Sequence, residues 1–246
     1  MAARPRPKSP KLLAHAQALH ERLAVAIPAP HVELKFKEPW QLLVAVILSA
    51  QSTDKMVNTV TPGLFRRWPS PRALAEAPQE EVEEVVKSTG FFRNKARSIR
   101  GASAAIVEKH GGQVPRTMEE LIQLPGVARK SANVVLGSAF GVAYGIAVDT
   151  HAMRVSQRLK LTRHKDPEKI ETDLCALYPA PIWTRAGHRL VLHGRYVCTA
   201  KKPHCVDCPL NELCPSAEDK PEGTWQQRAE AIAREMDSRS EGFHRP

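Results

Sequence analysis

The sequence predicts an all-α protein, and three observations lead there. Apolar residues recur at three- and four-residue spacing along most of the chain, as they do on amphipathic helices. No segment shows a convincing alternation of apolar and polar residues, so no strand is predicted. Aromatic residues make up only 5% of the chain, which leaves a core of Leu, Val, Ile and Ala that suits helices better than a β-sandwich.

In chain order, residues 1–10 are rich in Arg, Lys and Pro and read as a disordered basic arm. From Lys11 to Val25, the residues Leu12, Leu13, Ala16, Leu19 and Leu23 mark one helix face, and Pro28 and Pro30 end it. Pro39 suits the first turn of the next helix, which is apolar on all sides through Leu48 and so belongs in a core. It runs into a polar segment with Gln51 in its middle, and Asp54 is the expected N-cap of another helix. Helices follow over Pro71–Ala77, Gln79–Ser88, Asn94–Lys109 and Thr117–Gln123. Their connectors carry Pro62-Gly63, Pro69-Ser70-Pro71, Thr89-Gly90, Gly111-Gly112 and Pro115. A helix beginning near Val127 comes next, then Thr150–Leu159, a helix opened by Asp166-Pro167-Glu168 and running to Leu177, and one from Arg185 to His193. After Cys214 a charged linker leads to a weak amphipathic stripe of Trp225, Ala229, Ile232 and Met236, either docked on the body or a solvated tail.

A chain of 246 residues with 42% apolar content can bury a sizeable core in one domain or two, and is not disordered. Its 36 Lys+Arg against 26 Asp+Glu leave a charge of +10, which points to a polyanion, nucleic acid first. No apolar run reaches the ~18 residues of a membrane span, and no signal-peptide core follows the N-terminus. A cytoplasmic or nucleoid-associated location is expected.

Four features carry chemistry. In the turn Leu124-Pro125-Gly126-Val127, Gly126 can take positive φ, and backbone N–H groups at the following helix N-terminus can face a phosphate. The plain alternative is an ordinary helix–helix turn. Lys130, next to Arg129, falls off the apolar stripe of Ala128, Ala132, Val135, Leu136 and Ala139, and an unprotonated amine there is a nucleophile. A lone surface lysine would otherwise only touch phosphate or water. Asp149 follows Ile146-Ala147-Val148 and precedes a helix, where it is an N-cap and also a rigidly held carboxylate able to stabilise positive charge. Cys198, Cys205, Cys208 and Cys214, spaced C-x6-C-x2-C-x5-C, form the strongest signal: four thiolates in a short loop suit a 4Fe-4S cluster or zinc, and spacing alone does not separate them. Lys201 and Lys202 make that loop basic and a second candidate contact to phosphate.

LPGVARKSANVV, then AVDTH, LHGRYVC and the cysteine loop, together closely resemble the endonuclease III family of helix-hairpin-helix DNA glycosylases, over about Leu12 to Cys214. The resemblance implies two helical domains flanking a DNA-binding cleft. Residues 32–142 would form a six-helix barrel with the helix-hairpin-helix, residues 11–31 and 143–215 an iron–sulfur cluster domain, and residues 216–246 a C-terminal extension. Lys130 and Asp149 would then face each other from different domains. The implied activity is removal of oxidised pyrimidines from duplex DNA and cleavage of the abasic site, with Lys130 forming a Schiff base and Asp149 stabilising the sugar. The implied cofactor is a 4Fe-4S cluster, the implied partner double-stranded damaged DNA met by a monomer. Gln51 matches a gap-filling glutamine and Phe91 the position of an intercalating leucine. Phe91 departs from the family pattern, as does one extra residue between Lys130 and Asp149. Two rivals stand beside this reading. An adenine-mismatch glycosylase shares the hairpin, aspartate and cluster but usually lacks the lysine, and a metal-stabilised DNA-binding module would have no use for Lys130 and Asp149 together.

Overall fold

The computed structural model describes residues 8–239, and every regular element among them is helical. The arm expected over residues 1–10 lies mostly outside the described residues. From Lys8 onward the chain is engaged: Lys8 pairs with Asp173, Ser9 caps the first helix by accepting the Leu12 N–H at 3.3 Å, and Pro10 occupies the first turn of α1 (Pro10–Ala26). The chain divides into two compact units.

The unit Val32–Val142 begins with α2 (Pro39–Leu48). Every residue from Leu42 to Leu48 is buried, as its all-round apolar surface requires, because α2 packs against α3 (Asp54–Arg67), α6 (Phe92–His110) and α8 (Arg129–Phe140). Each such leucine contributes about 1.5–3 kcal/mol by leaving water. Around α6 lie α4 (Pro71–Glu76) and α5 (Gln79–Val86), and the four-residue α7 (Met118–Leu121) leads to α8. Two local expectations differ from what is found. The N-cap of α3 is Thr53, whose hydroxyl accepts the Met56 N–H at 3.2 Å, and Asp54 is already helical. Pro62 lies inside α3 rather than in a connector. Its ring removes one backbone bond to the Asn58 carbonyl, while the Asn58 side chain accepts the Lys35 N–H and donates to the Glu33 carbonyl, each at 2.8 Å.

The other unit joins α1 to the chain from Ala143 onward. Helices α9 (Thr150–Arg158) and α11 (Trp183–Tyr196) pack closely, with α10 (Pro167–Leu177) against α1 and α9. The approach of α9 to α11 requires Gly194, where a Cβ would stand 2.9 Å from Val155 Cγ2 and 3.0 Å from the His151 carbonyl oxygen. Leu19, Leu23, Val155, Ile170 and Leu190 centre the core, and Cys198, Cys208 and Cys214 pack against its edge. The stripe after Cys214 is docked: α12 (Trp225–Arg239) lies on α1 and buries Ala229, Ile232 and Met236 against Ala26, Ile27, Leu192 and Val197. No helix among the described residues is long and apolar enough to cross a membrane.

Candidate active site and cluster loop

The turn before α8 is built by hydrogen bonds between neighbours. Leu124 N–H donates to the Leu121 carbonyl and Val127 N–H to the Leu124 carbonyl, both at 3.1 Å. Gly126 sits at φ 79°, and a Cβ on it would come 2.8 Å from the Ser98 Cβ, so both conformation and space demand glycine. Two residues expected at a DNA contact, Leu124 and Val127, turn their side chains inward and are 3% and 7% exposed. The Val127 N–H also closes the turn, so it is not the donor expected there. The N–H groups of Gly126 and Ala128 take no backbone carbonyl in this turn. Helix α8 starts at Arg129, two residues later than predicted, and its N-cap is Ala128, whose side chain offers no capping acceptor. Alanine is among the poorest N-caps, so no capping side chain competes for donors at this positive end of the helix dipole. Lys130 is the second residue of that helix, and it is exposed, with Arg129 half-buried beside it.

In the other unit, Asp149 is the N-cap of α9, and its Oδ1 accepts the Ala152 N–H at 2.8 Å. Ile146 and Val148 are buried before it, which anchors the extended approach to the helix. His188, unmarked in the sequence, stands in its electrostatic reach. Burial first, and the nearby His31 second, push His188 down to about 4 against the pull of Asp149, so its imidazole is neutral near pH 7.

Gln51 and Phe91 share a feature that their sequence positions do not reveal. Both are non-glycine residues in the left-handed region, at φ 53° and 49°, and both side chains are exposed, Phe91 at 64%. Such backbone persists only where the surroundings enforce it, and Lys160, just after α9, shares it at φ 57°.

The four clustered cysteines line one cavity together with His193, Arg158 and Asn211. Burial pushes the Cys208 thiol up to about 12, and that of Cys214 up as well, so buried thiols here need a cation to become thiolates. The four thiols line a shared cavity, an arrangement that suits one cysteine ligand for each iron of a cluster. The loop's carbonyls are held by side chains that sequence reading missed. Arg154 donates to the carbonyls of Gly194 (2.6 Å) and Cys198 (3.1 Å). Arg158 donates to Cys198 Sγ (3.2 Å) and the Thr199 carbonyl (2.7 Å), and Asn211 to the Cys205 carbonyl (2.7 Å). Arg228 of α12, 6% exposed, donates to the Cys208 carbonyl at 2.9 Å and pairs with Glu212, which Arg22 also pairs. His193 Nε2 lies 3.7 Å from Cys208 Sγ, while its buried Nδ1 has no partner among the described residues. Lys201 and Lys202 are exposed on the same loop.

A helical unit with a glycine hairpin turn, and a second helical unit with a four-cysteine loop, define a class of DNA-repair protein. Residues 44–180 match the HhH-GPD superfamily of base excision DNA repair proteins, and residues 198–214 match the iron-sulfur binding domain of endonuclease III. The chain belongs to this superfamily, on its endonuclease III branch. It is 55% identical over 191 residues to endonuclease III of Synechocystis sp., covering 78% of this chain and 87% of the relative. To that of Escherichia coli K12 it is 42% identical, covering 78% and 91%. A solved non-covalent endonuclease III–DNA complex superposes with a TM-score of 0.80 at 42% identity, covering 84% of this chain and 96% of the other. A trapped endonuclease III–DNA covalent intermediate gives 0.78 at 43%, covering 82% and 97%. The family fixes the reaction class as base excision repair by a DNA glycosylase with abasic-site lyase activity, and the cofactor as a 4Fe-4S cluster.

Proposed function

We propose that the chain removes oxidised pyrimidines from double-stranded damaged DNA and cuts the strand at the resulting abasic site, with Lys130 as nucleophile and Asp149 as its carboxylate partner. The observation that carries this is the start of α8, where an exposed lysine directly follows a left-handed glycine turn and an uncapped helix end. The Gly126 and Ala128 amides, beside a positive dipole end, suit a phosphate. In this reading the Gly126 and Ala128 amides hold a phosphate beside Arg129, while Leu124 and Val127 shape the turn from within.

The damaged nucleotide leaves the stack, most readily where pairing is already weak. The unprotonated Nζ of Lys130 attacks C1′, and the bond from C1′ to the base nitrogen breaks, so the base departs with that electron pair. The sugar ring opens to an imine between C1′ and Nζ. Loss of a C2′ proton then breaks the C3′–O bond and expels the 3′ phosphate, and water releases the lysine. Asp149 stabilises positive charge at C1′ and carries protons between steps. Its cap to Ala152 holds the carboxylate still while this happens. Gln51 and Phe91 fill the space left by the base, and Lys201 and Lys202 contact backbone phosphates. Cys198, Cys205, Cys208 and Cys214 hold the cluster, which supplies rigidity to the basic loop. The protein works as a monomer on chromosomal DNA, cytoplasmic and nucleoid-associated.

A panel of duplexes, each with one lesion, tests the reading when base release and strand scission are measured separately. Thymine glycol should be released and its strand cut. Release of adenine from mismatches, with thymine glycol left untouched, would overturn it.

A further inference from the structure

Between α5 and α6 the chain makes a short 3-10 turn, Lys87–Thr89, followed by Gly90 at φ 71° and Phe91 at φ 49°. Two successive left-handed residues throw the Phe91 ring outward, and Phe91 then serves as the N-cap of α6 without giving a side-chain cap. Beneath this reversal lies Lys95, 5% exposed. Its Nζ donates to the Thr89 carbonyl at 2.6 Å, and its own backbone N–H donates to the Phe91 carbonyl at 3.1 Å. Thr89 is itself buried and fixed, its hydroxyl donating to the Val86 carbonyl at 2.7 Å.

An ammonium is a costly group to bury, and packing alone would be served by Met or Leu. Burial lowers the pKa of Lys95, so the site stabilises a lysine less well than water does. What a lysine adds is a donor that reaches a carbonyl which helix geometry does not satisfy. That carbonyl belongs to the peptide immediately before Gly90, so its direction sets the direction of the Phe91 ring.

We infer that Lys95 is a positioning residue for base extrusion, its side chain locking the Thr89–Gly90 peptide so that Phe91 is presented ready to enter the gap. The inference rests on Phe91 acting as the wedge. It identifies a specificity element outside the lysine–aspartate pair: a pre-set wedge enters without first ordering a loop. Lys95 touches neither the sugar nor the base in this account.

The experiment is a double-mutant cycle on the full-length protein with its cluster in place. Lys95→Met, Phe91→Ala and the double variant are followed by 2-aminopurine fluorescence next to a thymine glycol, which reports unstacking. Strand cutting at an abasic site in single-stranded DNA, where no gap needs filling, serves as the second readout. Lys95→Met should slow unstacking about tenfold, the scale of losing a charged hydrogen bond, with single-strand cutting unchanged. The double variant should be no slower than Phe91→Ala. Unstacking at the wild-type rate in Lys95→Met, or losses that multiply in the double variant, would overturn the role of Lys95 while leaving the wedge intact. Wild-type unstacking in Phe91→Ala would overturn the wedge itself, and this inference with it. If Lys95→Met does not fold, Lys95→Arg decides. With a wild-type melting temperature, it should unstack at close to the wild-type rate because a donor is kept, and slow unstacking would overturn the role.

Discussion

The hairpin turn and the cysteine loop solve opposite problems. Around Gly126 the backbone closes on itself with short-range bonds and leaves the amides of Gly126 and Ala128 as donors beside the N-terminus of α8. Between Cys198 and Cys214 the reverse holds, since Arg154, Arg158 and Arg228 reach in from other elements to occupy carbonyls. A segment that must grip a ligand keeps its polar groups available and accepts left-handed geometry to do so. A segment that must present four thiols at fixed positions has its polar backbone satisfied from outside. The first kind of order is local, and the second depends on distant partners.

The largest effect should come from the gripping side. Lys130→Ala should abolish strand cutting at abasic sites while binding of abasic-site duplex, read by fluorescence anisotropy, stays within about threefold, because an exposed side chain adds little to packing. Next comes Asp149→Asn. Asparagine caps a helix as well as aspartate does, so the melting temperature should hold while single-turnover base removal slows about 100-fold. Equal turnover would leave Asp149 with the capping role alone. Gly126→Ala attacks the turn itself, forcing a Cβ to 2.8 Å from Ser98 and a side chain into positive φ. Duplex affinity should fall about tenfold, in line with a strained turn costing ~1–3 kcal/mol. Wild-type affinity would detach the turn from DNA binding.

The smallest effect should appear on the satisfied side. Arg228→Met removes the donor to Cys208 and one partner of Glu212. Iron release to a chelator should quicken by about threefold to tenfold, the scale of one charge-assisted bond, with base-removal chemistry little changed. Glu230→Gln, an exposed change on the same helix, should release iron at the wild-type rate. If both variants behave alike, α12 has no hold on the loop.

The same division decides what the sequence revealed. Glycine at 126, a capping aspartate at 149 and four spaced cysteines are local signals, and each was legible. So were the helices, whose period is set by neighbours three and four residues away. Capping details were less so: Thr53 and Asp54 are both good caps, and only the backbone turn chooses between them. Pro62 reads as a breaker because proline cannot donate the helical backbone bond, yet α3 continues through it. Lys95, Arg154, Arg158 and Arg228 look like any surface cation until tertiary packing buries Lys95 and Arg228 and sets Arg154 and Arg158 against the cysteine loop. The docking of α12 was open for the same reason, since its stripe is weak and the face it meets is assembled from α1 and α11.

The central claim is that Lys130 makes the covalent bond. Borohydride reduction of the wild-type protein on abasic-site duplex, followed by digestion and mass spectrometry of the cross-linked peptide, tests it most directly. The adduct should sit on Nζ of Lys130. An adduct on another residue, or none at all from cluster-loaded protein that binds the duplex, would contradict it.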